Sequence, residues 1–255
     1  MRLQEAGFFS WDKALYEPGK LPLGPNRKKY FLEELKSSQQ ALQKNDMTFF
    51  LDRLPKEERW RVLAKFYPEA SFLDIETTGF SPYAADITMI SLLHKGRNYL
   101  FIKGQNLKKI ISLLGDIKLL VTFCGSSFDI PFLLEAFRIE QLPCPHIDLR
   151  WQSYYLGWSG GLKNIELQLG LKRPKKYQEM SGREAVELWN KFCQDKDEQS
   201  LNRLKAYSLL DALSLQLLMI YLLKKRNPDE SFPELEQLKK NFQSQQHIEG
   251  LLENL

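Results

Sequence analysis

The chain has 255 residues, of which 43% are hydrophobic and 27% are charged, and its formal net charge is +4. These values are ordinary for a folded protein, so they exclude a chain that is disordered throughout. The mild positive charge is compatible with a partner that carries phosphate groups, but it does not by itself indicate one.

The sequence divides into three zones of different character. Residues 1–69 are polar, contain prolines and then become helical in pattern, so we predict a helical N-terminal extension. Leu54 to Glu58 is typical of a helix start, with proline in the first turn and acidic residues near the positive helix end. Residues 70–224 carry the strand signals of the main domain. Residues 225–255 are rich in Gln, Glu and Lys, and we expect a polar tail or a loosely docked helix.

The second zone contains three neighbouring strand patterns followed by alternating strands and helices. Ser71 to Glu76 is an apolar strand that ends at Thr77, Thr78 and Gly79. Further strands are predicted over residues 86–93, 98–102, 118–123 and 146–148. Helices are predicted over residues 106–114, 128–137 and 197–223. This order predicts an α/β fold with a mixed sheet of five or six strands that is flanked by helices.

Four carboxylates lie at characteristic points of these predicted elements. Asp74 and Glu76 are two residues apart on one strand, so their side chains project from the same face. Asp129 follows the strand at 118–123 and begins the next helix, where ligand sites of open sheets gather. Asp211 lies on the long last helix, four residues after Tyr207, so the carboxylate and the phenol share one helix face.

Each acid has a simple alternative role when it is taken alone. Asp74 and Glu76 can be an exposed pair, Asp129 a helix cap and Asp211 a surface acid. If the four converge, repulsion raises their pKa values, and a hard divalent cation relieves this repulsion. Two Mg²⁺ or Mn²⁺ ions about 4 Å apart can activate water and stabilise the leaving oxygen of a phosphodiester. The joint pattern therefore favours a two-ion site.

These motifs resemble the DEDD superfamily of 3′–5′ exonucleases over most of the chain up to about residue 224. The segment from Asp74 to Gly79 is similar to the first motif, Phe128-Asp129-x-Pro131-x-Leu133 to the second, and Tyr207-x-x-x-Asp211 to the third in its tyrosine form. Within the superfamily the sequence is most similar to the YprB-like ribonuclease H-like proteins. That similarity rests on Leu54 to Arg61 and Leu162 to Gly170. It implies a ribonuclease H-like α/β fold.

The resemblance also implies a role for each residue of the motifs. Asp74 would bridge both metal ions, Glu76 and Asp211 would complete the first, and Asp129 would hold the second, directly or through water. Tyr207 would orient the attacking water.

The resemblance further implies substrate contacts. The backbone around Thr77 and Thr78 and the ring of Phe80 would receive the terminal nucleotide. One departure concerns Cys124, which stands where the family usually has Asn and cannot supply the donors and acceptor of an amide. Either substrate positioning is weakened at this point, or Ser126 or Ser127 compensates.

A basic segment lies in a predicted loop around Pro174. Its cations are Lys172, Arg173, Lys175 and Lys176. They are either a solvated loop or a phosphate-binding surface with salt-dependent affinity.

Three functions follow from these motifs. The leading one is a two-metal 3′–5′ exonuclease that acts on single-stranded ends of nucleic acid. The alternatives are a ribonuclease H-like endonuclease and a nucleic-acid-binding module with weakened catalysis, which Cys124 keeps open. The residues do not choose between DNA and RNA.

The expected compartment follows from the cysteines and from the apolar segments. Cys124, Cys144 and Cys193 have neither the number nor the spacing of a disulfide framework or a structural zinc site, which favours a reducing compartment. The amino terminus does not resemble a signal peptide, and the apolar stretches are interrupted before the length of a membrane span. We therefore expect a cytoplasmic protein that does not associate with membranes.

Overall fold

The computed structural model describes residues 3–232 and 234–255. The chain forms two compact units that divide between Leu54 and Pro55. The first unit is helical, and its small core contains Phe8, Ala14, Leu21 and Leu35. Its elements are a 3₁₀ helix at Leu3–Ala6, α1 (Trp11–Tyr16), a 3₁₀ helix at Pro18–Lys20, α2 (Pro25–Gln43) and α3 (Met47–Arg53).

The second unit contains the sheet and the longer helices. It begins with 3₁₀ helix Lys56–Glu58, α4 (Trp60–Phe66) and 3₁₀ helix Tyr67–Glu69. The sheet region follows with β1 (Ala70–Thr77), β2 (Ile87–His94), β3 (Arg97–Ile102), a 3₁₀ helix at Leu107–Lys109, α5 (Ile110–Leu114), β4 (Leu119–Thr122), α6 (Asp129–Phe137) and β5 (His146–Asp148). The remaining elements are α7 (Leu149–Tyr154), α8 (Leu162–Gln168), a 3₁₀ helix at Lys175–Tyr177, α9 (Gly182–Asp195), α10 (Glu198–Arg226), α11 (Leu235–Gln243) and α12 (Gln245–Glu253).

The five strands form one mixed sheet in the order β3-β2-β1-β4-β5. β1 is antiparallel to β2 and parallel to β4, so it lies at the junction between the antiparallel and parallel parts. β5 continues the parallel part beside β4. The pairing of β1 with β2 shifts register between Glu76 and Thr77, and such a bulge bends the end of the strand locally. The predicted mixed sheet flanked by helices is confirmed.

Helix α10 is the central helix of the second unit and packs on β1, β2 and α9. Among the helices of the described residues it alone has the length and apolar composition of a membrane span, and 83% of its most apolar window is buried inside the fold. A helix that is apolar on all sides and enclosed by protein is a core helix. Asp211 therefore projects from a helix that the core of this unit encloses.

Of the two expectations for the carboxyl-terminal residues, a polar tail or a loosely docked helix, the structure agrees with helices that pack on the fold. These residues form α11 and α12, and the apolar side chains Leu235, Phe242 and Ile248 are buried. These apolar residues are spaced so that each short helix has one apolar face, although most of the sequence around them is polar. The division of the chain into three zones at residues 69 and 224 stays a prediction.

Candidate metal centre

The two acids of β1 lie on the same face of the central strand, as their spacing predicts. Glu76 is buried, and Asp74 is partly buried. Asp211 projects from α10, which packs against this strand, and it is also buried. One carboxylate oxygen from each of Asp74, Glu76 and Asp211 lies within 4.8 Å of the other two. The structure thus brings together three acids from two separate elements.

Asp129 joins this group from the other side of β1. It is the first residue of α6 and is only 2% exposed. Its carboxylate accepts a hydrogen bond from the backbone N–H of Ile75, which lies between Asp74 and Glu76 on the strand. Its charge contributes to raising the pKa of both neighbouring acids. Asp129 therefore lies close enough to influence the three acids at the end of β1, but it is not one of the acids whose oxygens meet within 4.8 Å, nor one of the described residues that line the groove beside them.

The environment opposes the ionisation of these carboxylates. Burial raises the pKa of Asp74 well above its usual value, and repulsion from Asp211, Glu76 and Asp129 raises it further. Burial followed by the charge of Asp211 has the same effect on the pKa of Glu76. Burial raises the pKa of Asp129 to about 8, although backbone hydrogen bonds oppose the rise. A hard divalent cation such as Mg²⁺ or Mn²⁺ binds several carboxylate oxygens and relieves the repulsion that opposes their ionisation, so this group of acids suits such an ion.

The guanidinium of Arg173 is buried and lies beside Asp211. Arg173 is 4% exposed, and its Nη2 donates a hydrogen bond to Asp211 Oδ1. Its Nε and Nη2 also donate to Glu166 Oε2 and Oε1, at 2.8 Å and 2.5 Å. Ser214 Oγ donates to Glu166 Oε1 at 2.6 Å. The expectation of a solvated basic loop is therefore wrong at Arg173, because two buried carboxylates hold this cation inside the fold.

The ring of Tyr207 lies close to two cations, and its hydroxyl is influenced by the acids. Its ring centroid is 5.5 Å from Arg173 Cζ and 4.6 Å from Lys163 Nζ. Burial raises the pKa of its phenol, and the charges of Asp211 and Glu76 raise it further. The hydroxyl consequently stays protonated at neutral pH. Burial lowers the pKa of the partly buried Lys163 ammonium.

An open groove of about 820 Å³ passes over the acids. Its wall includes Tyr207 and the residues Thr77, Thr78 and Phe80 that the resemblance assigns to the terminal nucleotide. The Phe80 side chain is 94% exposed. The remaining lining residues come mostly from α9, with Phe128 at the start of α6. The groove therefore gives solvent and an extended ligand access to the acids.

The other predicted substrate residues lie apart from the lining of this groove. Lys172 and Lys175 are exposed, and Lys176 lies 3.7 Å from Glu249 in an ion pair. Within the described part of the chain, Cys124, Ser127, Lys172, Arg173, Lys175 and Lys176 are not among its lining residues. A role of these residues in substrate binding stays a prediction.

Asp148 shapes the loop that leads to Asp129. It caps α7 by accepting from Arg150 N, at the junction of β5 and this helix. The same carboxylate accepts from the backbone N–H groups of Cys124 and Ser126, at 2.9 Å and 3.0 Å. Cys124 has a left-handed backbone conformation with φ 64°. Asp148 is therefore a support for the loop as well as a helix cap.

Sequence reasoning did not assign a role to Glu166, and it did not foresee the burial of Arg173. Glu166 lies beside Ile165 on α8, and both side chains are buried. A carboxylate at a core position of a helix requires a buried donor or cation, and this signal was present in the sequence. Its partner is not evident from spacing, because Arg173 follows the end of α8 in an irregular segment.

The chain was compared with protein-family models, with curated proteins and with solved structures. A family model of the RNase H superfamily matches residues 71–223. A family B DNA polymerase from the hyperthermophilic archaeon Pyrobaculum calidifontis matches with a TM-score of 0.45 and 16% identity, over 72% of this chain and 26% of the polymerase. Brucella melitensis NrnC matches with a TM-score of 0.44 and 19% identity, over 75% of this chain and 87% of NrnC.

A structure of Brucella melitensis NrnC bound to pGG also matches, with a TM-score of 0.44 and 20% identity over the same shares of the two chains. The search by sequence among curated proteins gave no significant match. These values describe a distant likeness between chain traces, and no residue role follows from them.

Proposed function

The chain belongs to the RNase H superfamily, and on that premise we propose that it is a metal-dependent nuclease, namely a two-metal 3′–5′ exonuclease acting on single-stranded ends. One observation carries the proposal: oxygens of Asp74, Glu76 and Asp211 lie within 4.8 Å of one another beside an open groove. The tyrosine form of the DEDD superfamily and the YprB-like group are the finer assignments that the motifs support.

The proposed metal ligands follow from this cluster. Asp74, Glu76 and Asp211 would hold one ion, and Asp129 would take part in holding a second, with Asp74 shared. Carboxylates alone form the set, which suits Mg²⁺ or Mn²⁺. When bound, the ions would supply an activated water and charge stabilisation for the leaving oxygen of the phosphodiester.

Tyr207 would position a reactant through its hydroxyl group. Because burial and the neighbouring acids raise its pKa, the phenol keeps its proton at neutral pH. It would therefore donate a hydrogen bond to an oxygen of a reactant in the groove and would not act as a general base. This behaviour agrees with a role in orienting water or phosphate.

The form of the groove supports a single-stranded end as the substrate. The acids lie below the surface, since Glu76 and Asp211 are buried and Asp74 is partly buried. The exposed Phe80 ring beside them offers a flat apolar face on which a base can stack, whatever its identity. An unpaired terminal nucleotide can enter such a site, whereas a duplex would have to fray first. We extend the proposal to action in the cytoplasm.

The test is digestion of an end-labelled single-stranded oligonucleotide with Mg²⁺, using Asp74→Asn and Asp211→Asn. Each variant should lose at least about 100-fold in rate, because a ligand to the ion is removed. Asp195→Asn is a matched control, since Asp195 is an exposed acid at the end of α9. Circular dichroism should show that all three variants remain folded. Digestion by both site variants at the wild-type rate would reject the proposal.

The same assay separates the alternatives. A ladder that shortens by one nucleotide at a time supports an exonuclease, whereas discrete internal products support an endonuclease. Cys124 favours the third candidate, a binding module with weakened catalysis, because it stands where the family has Asn. Calorimetry with Mn²⁺ distinguishes that candidate, since a site without metal binding cannot perform this chemistry.

A further inference from the structure

Arg173 is a cation that a metal site made of carboxylates does not require. Its guanidinium lies beside Asp211, which is one of the three converging acids. The pair is enclosed by the fold, since the side chain of Arg173 is 2% exposed and that of Asp211 is 10% exposed. A fixed positive charge in this place affects any cation that approaches the same carboxylate.

Several contacts hold this guanidinium in place. Glu166 binds it through both carboxylate oxygens, and Ser214 donates to the same carboxylate from α10. The backbone is also held, because Gln178 Nε2 donates to the carbonyl oxygen of Arg173 at 2.7 Å. Pro174, which follows directly, is buried. Arg173 is therefore anchored by residues outside the three-acid cluster and cannot be displaced without disturbing them.

The hydrogen bonding of Arg173 is incomplete, which indicates that charge holds its guanidinium beside Glu166 and Asp211. Its Nη1 is buried and, within the described residues, has no hydrogen-bond partner. A buried unsatisfied donor is unfavourable, so the attraction of Glu166 and Asp211 must exceed this cost. The guanidinium thus offsets the repulsion among the acids when no ion is bound.

We propose that Arg173 is a resident counter-ion that competes with the metal for Asp211 and thereby lowers the metal affinity of the site. The inference rests on the proposed function only in requiring that these carboxylates bind a divalent ion. Glu166 weakens this competition, because its negative charge compensates part of the positive charge of the guanidinium. Arg173 is accordingly a positioning residue for Asp211.

The test measures Mn²⁺ binding by isothermal titration calorimetry on the full chain. In Arg173→Met the competing charge is gone, and Mn²⁺ should bind about tenfold more tightly. In Glu166→Gln the guanidinium is less compensated, and Mn²⁺ should bind several-fold more weakly. The matched control is Arg203→Met, which removes an arginine paired with Glu184 on a neighbouring helix at 2.7 Å and should leave Mn²⁺ affinity unchanged.

The opposite signs distinguish charge competition from structural support. A structural role alone would weaken Mn²⁺ binding in both variants, and this result would overturn the inference. Equal affinity in wild type and in folded Arg173→Met would also overturn it. If Arg173→Met does not fold, unchanged or tighter Mn²⁺ binding by Glu166→Gln is the contradicting result.

The wild-type titration separates the two proposals. Wild type that binds Mn²⁺ and digests the oligonucleotide, with Arg173→Met no tighter, contradicts only the role of Arg173. Absence of Mn²⁺ binding in wild type and in Arg173→Met contradicts both proposals.

Discussion

Asp211 and Asp129 reach the same cluster from two helices, but the chain supports them in different ways. Asp211 lies within the 29-residue helix α10, and a buried guanidinium is paired with it. Asp129 begins the nine-residue helix α6 and takes part in no ion pair among the described residues. Backbone hydrogen bonds hold its carboxylate instead. One side of the site is thus stabilised by charge, and the other by the shape of the backbone.

The support of Asp129 by the backbone depends on a short loop between β4 and α6. Cys124 adopts the left-handed conformation, and Asp148 binds two N–H groups of the loop. Gly125 follows directly and lies against Thr122 at the end of β4. If charge supports Asp211 and the backbone supports Asp129, steric changes in this loop and charge changes around Arg173 should alter the free energy of unfolding separately.

The largest expected effect comes from Gly125→Ala. A Cβ atom at this position would lie 1.9 Å from Thr122 Oγ1 and 2.6 Å from Thr122 Cβ, so the loop must move. We expect a loss of about 4 kcal/mol in the free energy of unfolding, at the upper end of effects from overpacking. Urea denaturation in the presence of EDTA measures this change without a contribution from metal.

Gly115→Ala is the control for this change. Its Cβ would lie 3.8 Å from the carbonyl oxygen of Ser112, an ordinary contact, and its φ is −68°. The free energy of unfolding should change by less than about 1 kcal/mol. A loss in Gly125→Ala no larger than in this control would show that the loop adapts and does not hold Asp129 by its shape.

The second effect concerns pH, because Asp129 lacks a cation partner. Its pKa is about 8 in the folded chain against an ordinary value of 3.8. A raised folded pKa stabilises the protein below the ordinary value, and this contribution is lost as pH rises through the folded pKa. Without metal, the wild type should therefore lose up to about 1.4 kcal/mol per pH unit between about pH 5 and about pH 7.5. Asp129→Asn should lack the part of the slope that Asp129 contributes, while the raised pKa values of Asp74 and Glu76 keep the remainder. The variant should therefore have a smaller slope and be the more stable protein at about pH 7.5, as measured by urea denaturation in EDTA.

Glu166→Gln tests the other support, which is the charge pairing of Arg173 with Asp211. Arg173 then loses one charged partner but keeps Asp211, so we expect a loss of about 2 kcal/mol in the free energy of unfolding. The two substitutions each replace one buried carboxyl group by an amide, and their effects on the free energy of unfolding should have opposite signs near neutral pH. The same sign for both would remove the distinction between the two supports.

The fold and the four acids could be predicted because their signals are local. The apolar patterns around Asp74 and Asp129 place Asp74 within a strand and Asp129 at the start of a helix, and the structure has β1 and α6 there. Arg173 could not be placed in the same way. Its partners Glu166 and Asp211 are 7 and 38 residues distant, and Pro174 beside it favours a loop. Long-range charge pairing has no periodicity, so sequence reasoning found the acids but not their counter-ion.

The smallest expected effect is a gain of stability in Cys124→Asn. With φ 64°, Cys124 occupies a conformation that Asn adopts more readily than other residues with a side chain, so the substitution should stabilise the fold by about 1 kcal/mol. The thiol contributes little against this gain, because its contact with Arg150 Nη1 is 3.6 Å long. Cys193→Asn, at an exposed position of α9, is the control and should give no gain.

This substitution also separates two explanations for the family Asn. If that residue serves the backbone, Cys124→Asn raises stability in urea denaturation and leaves the KM for an oligonucleotide unchanged. If its amide contacts substrate, KM falls even where stability is constant. The geometry favours the first result, since Cys124 is not among the described residues that line the groove, whereas its N–H is bound by Asp148. A fall in KM without a gain in stability would show that the residue at position 124 acts on the substrate directly and not through the backbone of the loop.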